Sequence, residues 1–434
     1  MRDLLIGPLI VGLAAYGLLH PWVSILGWTW LSIMNPHAYS WRLSSMPVAA
    51  AMAGATLLGL LISKDRRQFF VTRETVVLLL FMLWMCITLP FSFYFEQSYP
   101  LWNRVMKIDT MIIVAMVVLH SRRHLMALVW VLVGSIGFYG VKGGLFTLAT
   151  AGAHRVWGPD GSYIEGNNEV ALAIVMVIPL MRFLQLTAHL RWVRQGLSIA
   201  MLLSAVAALG SQSRGALLAL GAMATVLWWR SDKKMMGMVI LLVAGTAMLT
   251  FMPEQWWARM NTINTYEQDA SAGGRINAWW MAWNLAKDNF FGGGFMIYEP
   301  NIFTMYAPDP LDIHAAHSIY FMVLGEHGFI GLFLFLLLWL LVWLSANRLR
   351  VQAQKEPKAM WLSHLGAMCQ VSLAGYAIGG AFLSLSYYDL PYNILILVVL
   401  GCRWLDGKEW LKEEAPKADQ SVLAPSKNAG APQA

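Results

Sequence analysis

The feature that most constrains this chain is the recurrence of apolar runs close to the ~20 residues a helix needs to cross a bilayer. They fall near residues 46–63, 74–92, 104–120, 124–148, 168–186, 195–210, 214–230, 235–252, 317–346, 361–384 and 391–405. Residues 4–34 are also apolar but are interrupted at His20-Pro21. A proline breaks the helical hydrogen-bond ladder, so this stretch reads as one crossing made of two shorter helices. The total is about twelve crossings. With 58% hydrophobic and only 13% charged residues in 434, the chain has more apolar surface than a soluble domain can hide. The expected class is an all-α integral membrane protein.

The charged loops set its orientation. Lys64, Arg66, Arg67 and Arg73 fall on one side with Arg122/Arg123, Arg182/Arg191/Arg194, Arg230/Lys233/Lys234 and Arg348/Arg350/Lys355/Lys358. Short loops rich in Lys and Arg face the cytoplasm. The net charge of +7 is therefore an orientation signal and not a nucleic-acid surface. Both termini are expected inside. The sequence divides into an N-terminal transmembrane bundle (1–252), a long external loop (253–316), C-terminal transmembrane helices (317–405) and a tail (406–434) whose Pro/Ala-rich composition from Glu413 predicts disorder. The N-terminal segment lacks a small-residue cleavage region and is expected to stay in the membrane. Cys86, Cys369 and Cys402 have no metal or redox spacing and read as packing residues.

Ionisable groups near bilayer depth are costly and mark function, and three such positions gather at the external boundary. Arg214, in LGSQSRGALLAL, opens a span behind Ser211 and Ser213, which can cap it, and before Gly215, which allows close approach. A cation at a helix N-terminus opposes the dipole. An anion held between the free N–H groups and the guanidinium would account for it, as would snorkelling to lipid phosphates. Arg275, in SAGGRINAWWMAW, follows a flexible Ser271-Gly273-Gly274 entry, with Trp279 and Trp283 one and two turns on. That pattern predicts an amphipathic helix on the membrane surface with its tryptophans at headgroup level. His317 heads a stripe with Tyr320, Phe321, Leu324 and Gly328 in HSIYFMVLGEHG. Glu326 would lie on the opposite face, roughly 13 Å down an unbroken helix, and reads as the buried structural partner of a polar group on another span. His314 sits in the preceding loop.

Softer candidates surround these. His154, Arg155 and Trp157 precede the GPDGSYIEGNN loop and could grip a sugar or a phosphate. Arg104, Lys107 and Lys142 lie in or at the heads of spans, where they line a cavity or snorkel. Tyr387-Tyr388-Asp389 reads as a tight external turn of structural character. Glu267/Asp269 is the one close acidic pair in an external loop.

Taken in order, these pieces resemble the O-antigen ligase superfamily, which also holds O-antigen polymerases and protein O-oligosaccharyltransferases. The resemblance rests on His317 followed by Glu326 and Gly328, on SRGALLAL at 213–220, GRINAWWMAW at 274–283, DNFFGGGFMIY at 288–298 and VWGPDGSYIEGNNEVALAIVMVIPL at 156–180. EGNNE before a span, and His-Ser where many members have His-Asn, are similar to the branch of ligases associated with exosortase systems. The resemblance implies a GT-C-like enzyme of the bacterial inner membrane. Such an enzyme moves a glycan from undecaprenyl diphosphate to an acceptor hydroxyl on the periplasmic face. Its partners would be the lipid-linked donor, surrounding membrane lipids and a lipid A–core acceptor, with a growing glycan or a protein as alternatives.

The residues fit that chemistry on their own terms. Arg214 and Arg275 can hold the leaving diphosphate and stabilise its charge without a metal. A neutral His317 can take the acceptor proton. Arg155, Trp157, His314 and Tyr320 complete the expected donor-binding set. In-line displacement at the anomeric carbon would invert its configuration, with no cofactor. A metal-dependent scheme would instead call on Glu267/Asp269. The rival of another class is a polytopic transporter or flippase. That class places its sites near the midplane on broken helices in repeated halves, whereas this sequence has no internal repeat and its candidates sit at one boundary.

Overall fold

The computed structural model describes residues 2–63, 70–230 and 270–414 with scattered positions between them, and no strand occurs among the described residues. The helices, in chain order, are α1 (Arg2–Leu19), α2 (Pro21–Met34), α3 (Val48–Ile62), α4 (Arg73–Thr88), α5 (Phe95–Val118), α6 (Arg122–Ala149), α7 (Asn167–Thr187), α8 (Arg191–Gly210) and α9 (Arg214–Arg230). They continue as α10 (Ala270–Asp288), α11 (Pro300–Tyr306), α12 (Ile319–Ala353), α13 (Met360–Gly379), α14 (Asp389–Asp406) and α15 (Glu409–Glu414). Most of the expected crossing over 235–252 lies outside the described residues, as do Lys64, Arg66, Arg67, Lys233, Lys234, Glu267, Asp269 and the tail from 415. The start of the tail is helical, over α15.

Seven of these helices are long and apolar enough to cross a membrane: α1, α4, α6, α7, α8, α12 and α13, with α3 and α9 as shorter apolar helices. α5 and α14 also coincide with expected crossings, but each carries at least three charged residues, including the buried Asp109 and Asp389. α7 and α14 form the centre. Val170–Val177 and Leu390–Leu400 are buried without interruption, as a helix that is apolar all round requires. α7 packs between α8 and α13, and α12 packs on α4, α13 and α14. At the rim α1 turns Leu4, Leu5, Leu9 and Val11 outwards, the surface a lipid-facing helix presents.

Residues 4–34 do not form a single broken crossing. Pro21 opens α2 at its first turn, where a missing N–H costs nothing. The Asp3 carboxylate then accepts backbone N–H groups from Trp41, Arg42 and Leu43. The start of α1 therefore lies beside the segment that follows α2. The two helices form a hairpin, and the N-terminus stands at the same end as loop 35–45, opposite to the expectation.

α12 is interrupted at Gly328, whose φ of 67° and ψ of −170° are open to glycine and strained for other residues. The helix expected to continue through this point ends at His327 and starts again. Three carbonyls left open by the break find donors outside the helix. Gly325 O accepts from Gly293 N–H at 2.8 Å, Glu326 O from Gly294 N–H at 3.0 Å, and His327 O from Trp84 Nε1 at 2.8 Å. The FFGGGF segment thus serves as the cap of a helix end inside the protein. Glu326 itself, 1% exposed, accepts from Tyr387 Oη at 2.5 Å, which is the buried structural partnership expected of it. Tyr387, Tyr388 and Asp389 are likewise buried, in a turn that follows Phe382 and Leu383 and is tied by Ser386 Oγ to Ile319 O at 3.1 Å.

Candidate functional site

The site grows from the turn between α8 and α9. Ser211 Oγ accepts Ser213 N–H, and Ser213 Oγ accepts Ala216 N–H, each at 3.2 Å. This caps α9 and leaves Arg214 as its first residue. Between the serines Gln212 takes a left-handed φ of 58°. Its side chain bridges Gly152 O at 3.3 Å and Arg155 Nε at 3.2 Å. Asn167, at the start of α7, donates to Ser211 O at 2.8 Å. These amides lace the 152–167 loop to the α8–α9 turn and set Asn168 beside Arg214. The tightness expected at Gly215 is absent: a Cβ there would lie 3.5 Å from Phe382 Cβ, an ordinary contact.

The second wall is α10, which starts at Ala270 and so includes the glycines expected to form a flexible entry. Gly274 packs against the His314 ring, and a Cβ there would overlap it. Asn277 donates to Asp309 O and Asp312 O (2.8 and 2.9 Å) and accepts Asp309 N–H at 2.9 Å. Trp279 Nε1 donates to Ala316 O at 2.7 Å, and its ring stacks on Phe321 at 5.0 Å. Trp283 meets Phe329 edge-on at 5.3 Å. Two tryptophans expected at headgroup level therefore join α10 to α12, while Trp280 remains 53% exposed. Together Asn277 and Trp279 pin both sides of the segment that carries His317.

Arg214 and Arg275 meet across a small cleft of roughly 330 Å³, mouth included, lined also by Asn168, Ser213, Gly215, Phe382 and Leu383. His317 precedes α12, which begins at Ile319, so it does not head the helical stripe expected of it. It sits in the loop with a φ of 42°, half-buried. Burial holds its imidazole below the ordinary value of 6.5, and the nearby charges of Arg275 and His314 add to the effect. Glu169, in the first turn of α7, also feels the Arg275 charge. Two guanidiniums from distant helices and a capped helix N-terminus at one cleft, with a neutral imidazole within reach of the Arg275 charge, suit a phosphate-bearing ligand and a proton acceptor.

His317 and the remaining candidates do not line that cleft. His314 is exposed and pairs with Asp312 at 2.7 Å. Tyr320 is committed to Ala377 O at 2.7 Å. Arg155 is held by Gln212, and Trp157 is 59% exposed on its loop. Arg104 lies 4.4 Å over the Tyr163 ring and reaches Gly161 O at 3.4 Å, bracing the same loop. Lys142 sits 5.4 Å over Tyr39. Asn168, Gln212 and Asn277 are the contributors sequence reasoning did not single out.

Residues 1–189 match a family of unknown function (DUF5935). No curated protein matches the chain. Residues 199–336 match the family described as O-antigen ligase, and this segment contains the α8–α9 turn, α10, His317 and the Gly328 break. That match supports membership of the O-antigen ligase superfamily for this helical membrane protein.

Proposed function

We propose that this protein is a glycosyltransferase that moves a glycan from undecaprenyl diphosphate to an acceptor hydroxyl, with lipid A–core as the acceptor, at the periplasmic face of the inner membrane. The observation that carries the reading is the convergence of Arg214 and Arg275 on one cleft, with His317 within reach of the Arg275 charge. The acceptor oxygen attacks the anomeric carbon as the bond from that carbon to the diphosphate oxygen breaks. His317 takes the hydroxyl proton, and the diphosphate leaves with its new charge on Arg214 and Arg275. Attack opposite the leaving group inverts the anomeric centre. Arg155, Trp157, His314 and Tyr320 are proposed to act on the donor from outside this cleft.

The test uses purified protein, lipid-linked glycan donor and lipid A–core. Wild type is expected to transfer glycan and His317→Ala to lose transfer while staying folded. A general base typically contributes about 10²- to 10⁴-fold. Arg214→Lys and Arg275→Lys keep charge but lose the two-pronged donor, so each should lose most activity. Equal transfer by wild type and His317→Ala would remove the proposed base. Lengthening of the lipid-linked glycan without transfer to lipid A–core would make the protein a polymerase. Activity lost in EDTA and restored by Mg²⁺ would replace the metal-free scheme with one that draws on Glu267/Asp269.

A further inference from the structure

A second charged site lies at the end of the bundle away from the cleft. α7 starts at the cleft with Asn167 and reaches Gln185 roughly 27 Å further on; α8 returns from Arg191 to the α8–α9 turn. Gln185, Arg191, Arg194, Gln195 and Ser198 line a groove at this hairpin. The Gln185 amide holds the hairpin together. It accepts from Arg182 and donates to Arg194 O and Ser198 Oγ. The arginine charges are not answered in the same way. Arg182 and Arg194 are near enough to repel one another, and His364 on α13 lies within reach of the Arg182 charge. Among the described residues no carboxylate lies within 4.0 Å of Arg182, Arg191 or Arg194.

The other basic groove at this end shows the contrast. Arg73 pairs with Glu74 at 3.0 Å, Arg348 with Asp406 at 2.5 Å, and Arg403 lies 3.9 Å over Phe70. Two of its three arginines are thus paired with carboxylates, and the third lies over a ring. The α7–α8 hairpin has no such pairing, and an external anion would relieve the repulsion. Its surroundings favour a lipid as the source. Trp192 is 71% exposed, Leu190 55% and Leu186 40%, which are the side chains that sit among headgroups and upper acyl chains. The guanidinium fork suits phosphate oxygens, and Ser198 and Gln195 add polar groups at the groove.

We propose that Arg182, Arg191 and Arg194 bind the headgroup phosphate of an anionic membrane lipid at the α7–α8 hairpin, on the face opposite the cleft. The test is native mass spectrometry of the full-length protein with phosphatidylglycerol or phosphatidylcholine of matched chains. Wild type should retain phosphatidylglycerol in preference to phosphatidylcholine. The Arg191→Gln/Arg194→Gln double variant should bind it roughly 25-fold more weakly, at about fivefold per arginine near a membrane surface. Arg348→Gln, in the carboxylate-paired groove, should bind it as wild type does. Equal retention of both lipids by wild type overturns the proposal without any variant. So does a double variant that binds like wild type, or an Arg348→Gln that weakens binding as much as the double variant. Unchanged lipid retention in excess inorganic phosphate supports a headgroup site; displacement by phosphate overturns the lipid assignment.

Discussion

His317 sits where burial and then the Arg275 charge oppose its protonation, so the ring stays neutral to lower pH than a free imidazole. The sign follows directly. A base with a lowered pKa keeps its working form as pH falls through the ordinary value of 6.5, and loses it only below that. We expect kcat/KM for glycan transfer to stay level down to about pH 6.5 and fall beneath it. Arg275→Gln removes one depressing charge, so alongside its loss of rate the acid limb should move to higher pH. An acid limb that stays in place in Arg275→Gln would separate the two residues. Arg214, Arg275 and His317 were legible in the sequence because a charge at an apolar boundary has a cost that needs explaining. Asn167, Gln212 and Asn277 carry no such cost. Their roles exist only once Asn167 meets Ser211 and Asn277 meets Asp309, pairings made by the fold.

Among the elements, α12 departs most from its sequence reading. GEHGFIGLF continues an apolar run, and a glycine within such a run gives no sign of whether the helix passes through it. The break becomes readable only when FFGGGF is placed beside it, with Gly293 and Gly294 donating to the carbonyls of Gly325 and Glu326. The two segments are mutually fitted: a Cβ at Gly292 would come within 2.6 Å of Glu326 O, and one at Gly328 would overlap Phe290 O. Gly328→Ala therefore meets both a backbone conformation hostile to side chains and a collision with main chain. The expected cost is on the order of 3 kcal/mol, read as a lowered midpoint of thermal unfolding in detergent. Gly134→Ala, where nothing lies within 4 Å of the added Cβ, should not lower it. Equal midpoints for both variants would mean that the break is not fixed by Gly328. Glu326, by contrast, could be read as a buried partner from sequence, because a carboxylate at that depth must be satisfied; what remained to find was Tyr387.

For the whole molecule, the charge asymmetry that orients the spans also gathers physically at one end. Arg122 lies 5.2 Å over Trp361, which meets Trp404 at 5.4 Å, so the start of α6, the start of α13 and the end of α14 come together. The cleft, loop 152–167 and loop 35–45 lie at the other end. The α1–α2 hairpin adds the N-terminus to them through Asp3. Composition could not reveal this, because hydropathy counts apolar length and is blind to whether two short helices run on or double back. The arrangement predicts sidedness. In a background with Cys86, Cys369 and Cys402 replaced, Trp157→Cys and Arg2→Cys should react with an impermeant maleimide from the periplasmic side of intact inner membranes. Trp192→Cys, on the α7–α8 hairpin, should react only after the membrane is opened. If Arg2→Cys behaves like Trp192→Cys, α1 and α2 form one broken crossing after all and the hairpin is wrong. If Trp157→Cys reacts only after the membrane is opened while Trp192→Cys reacts in intact membranes, the cleft faces the cytoplasm, and a reaction that meets its acceptor in the periplasm could not take place there.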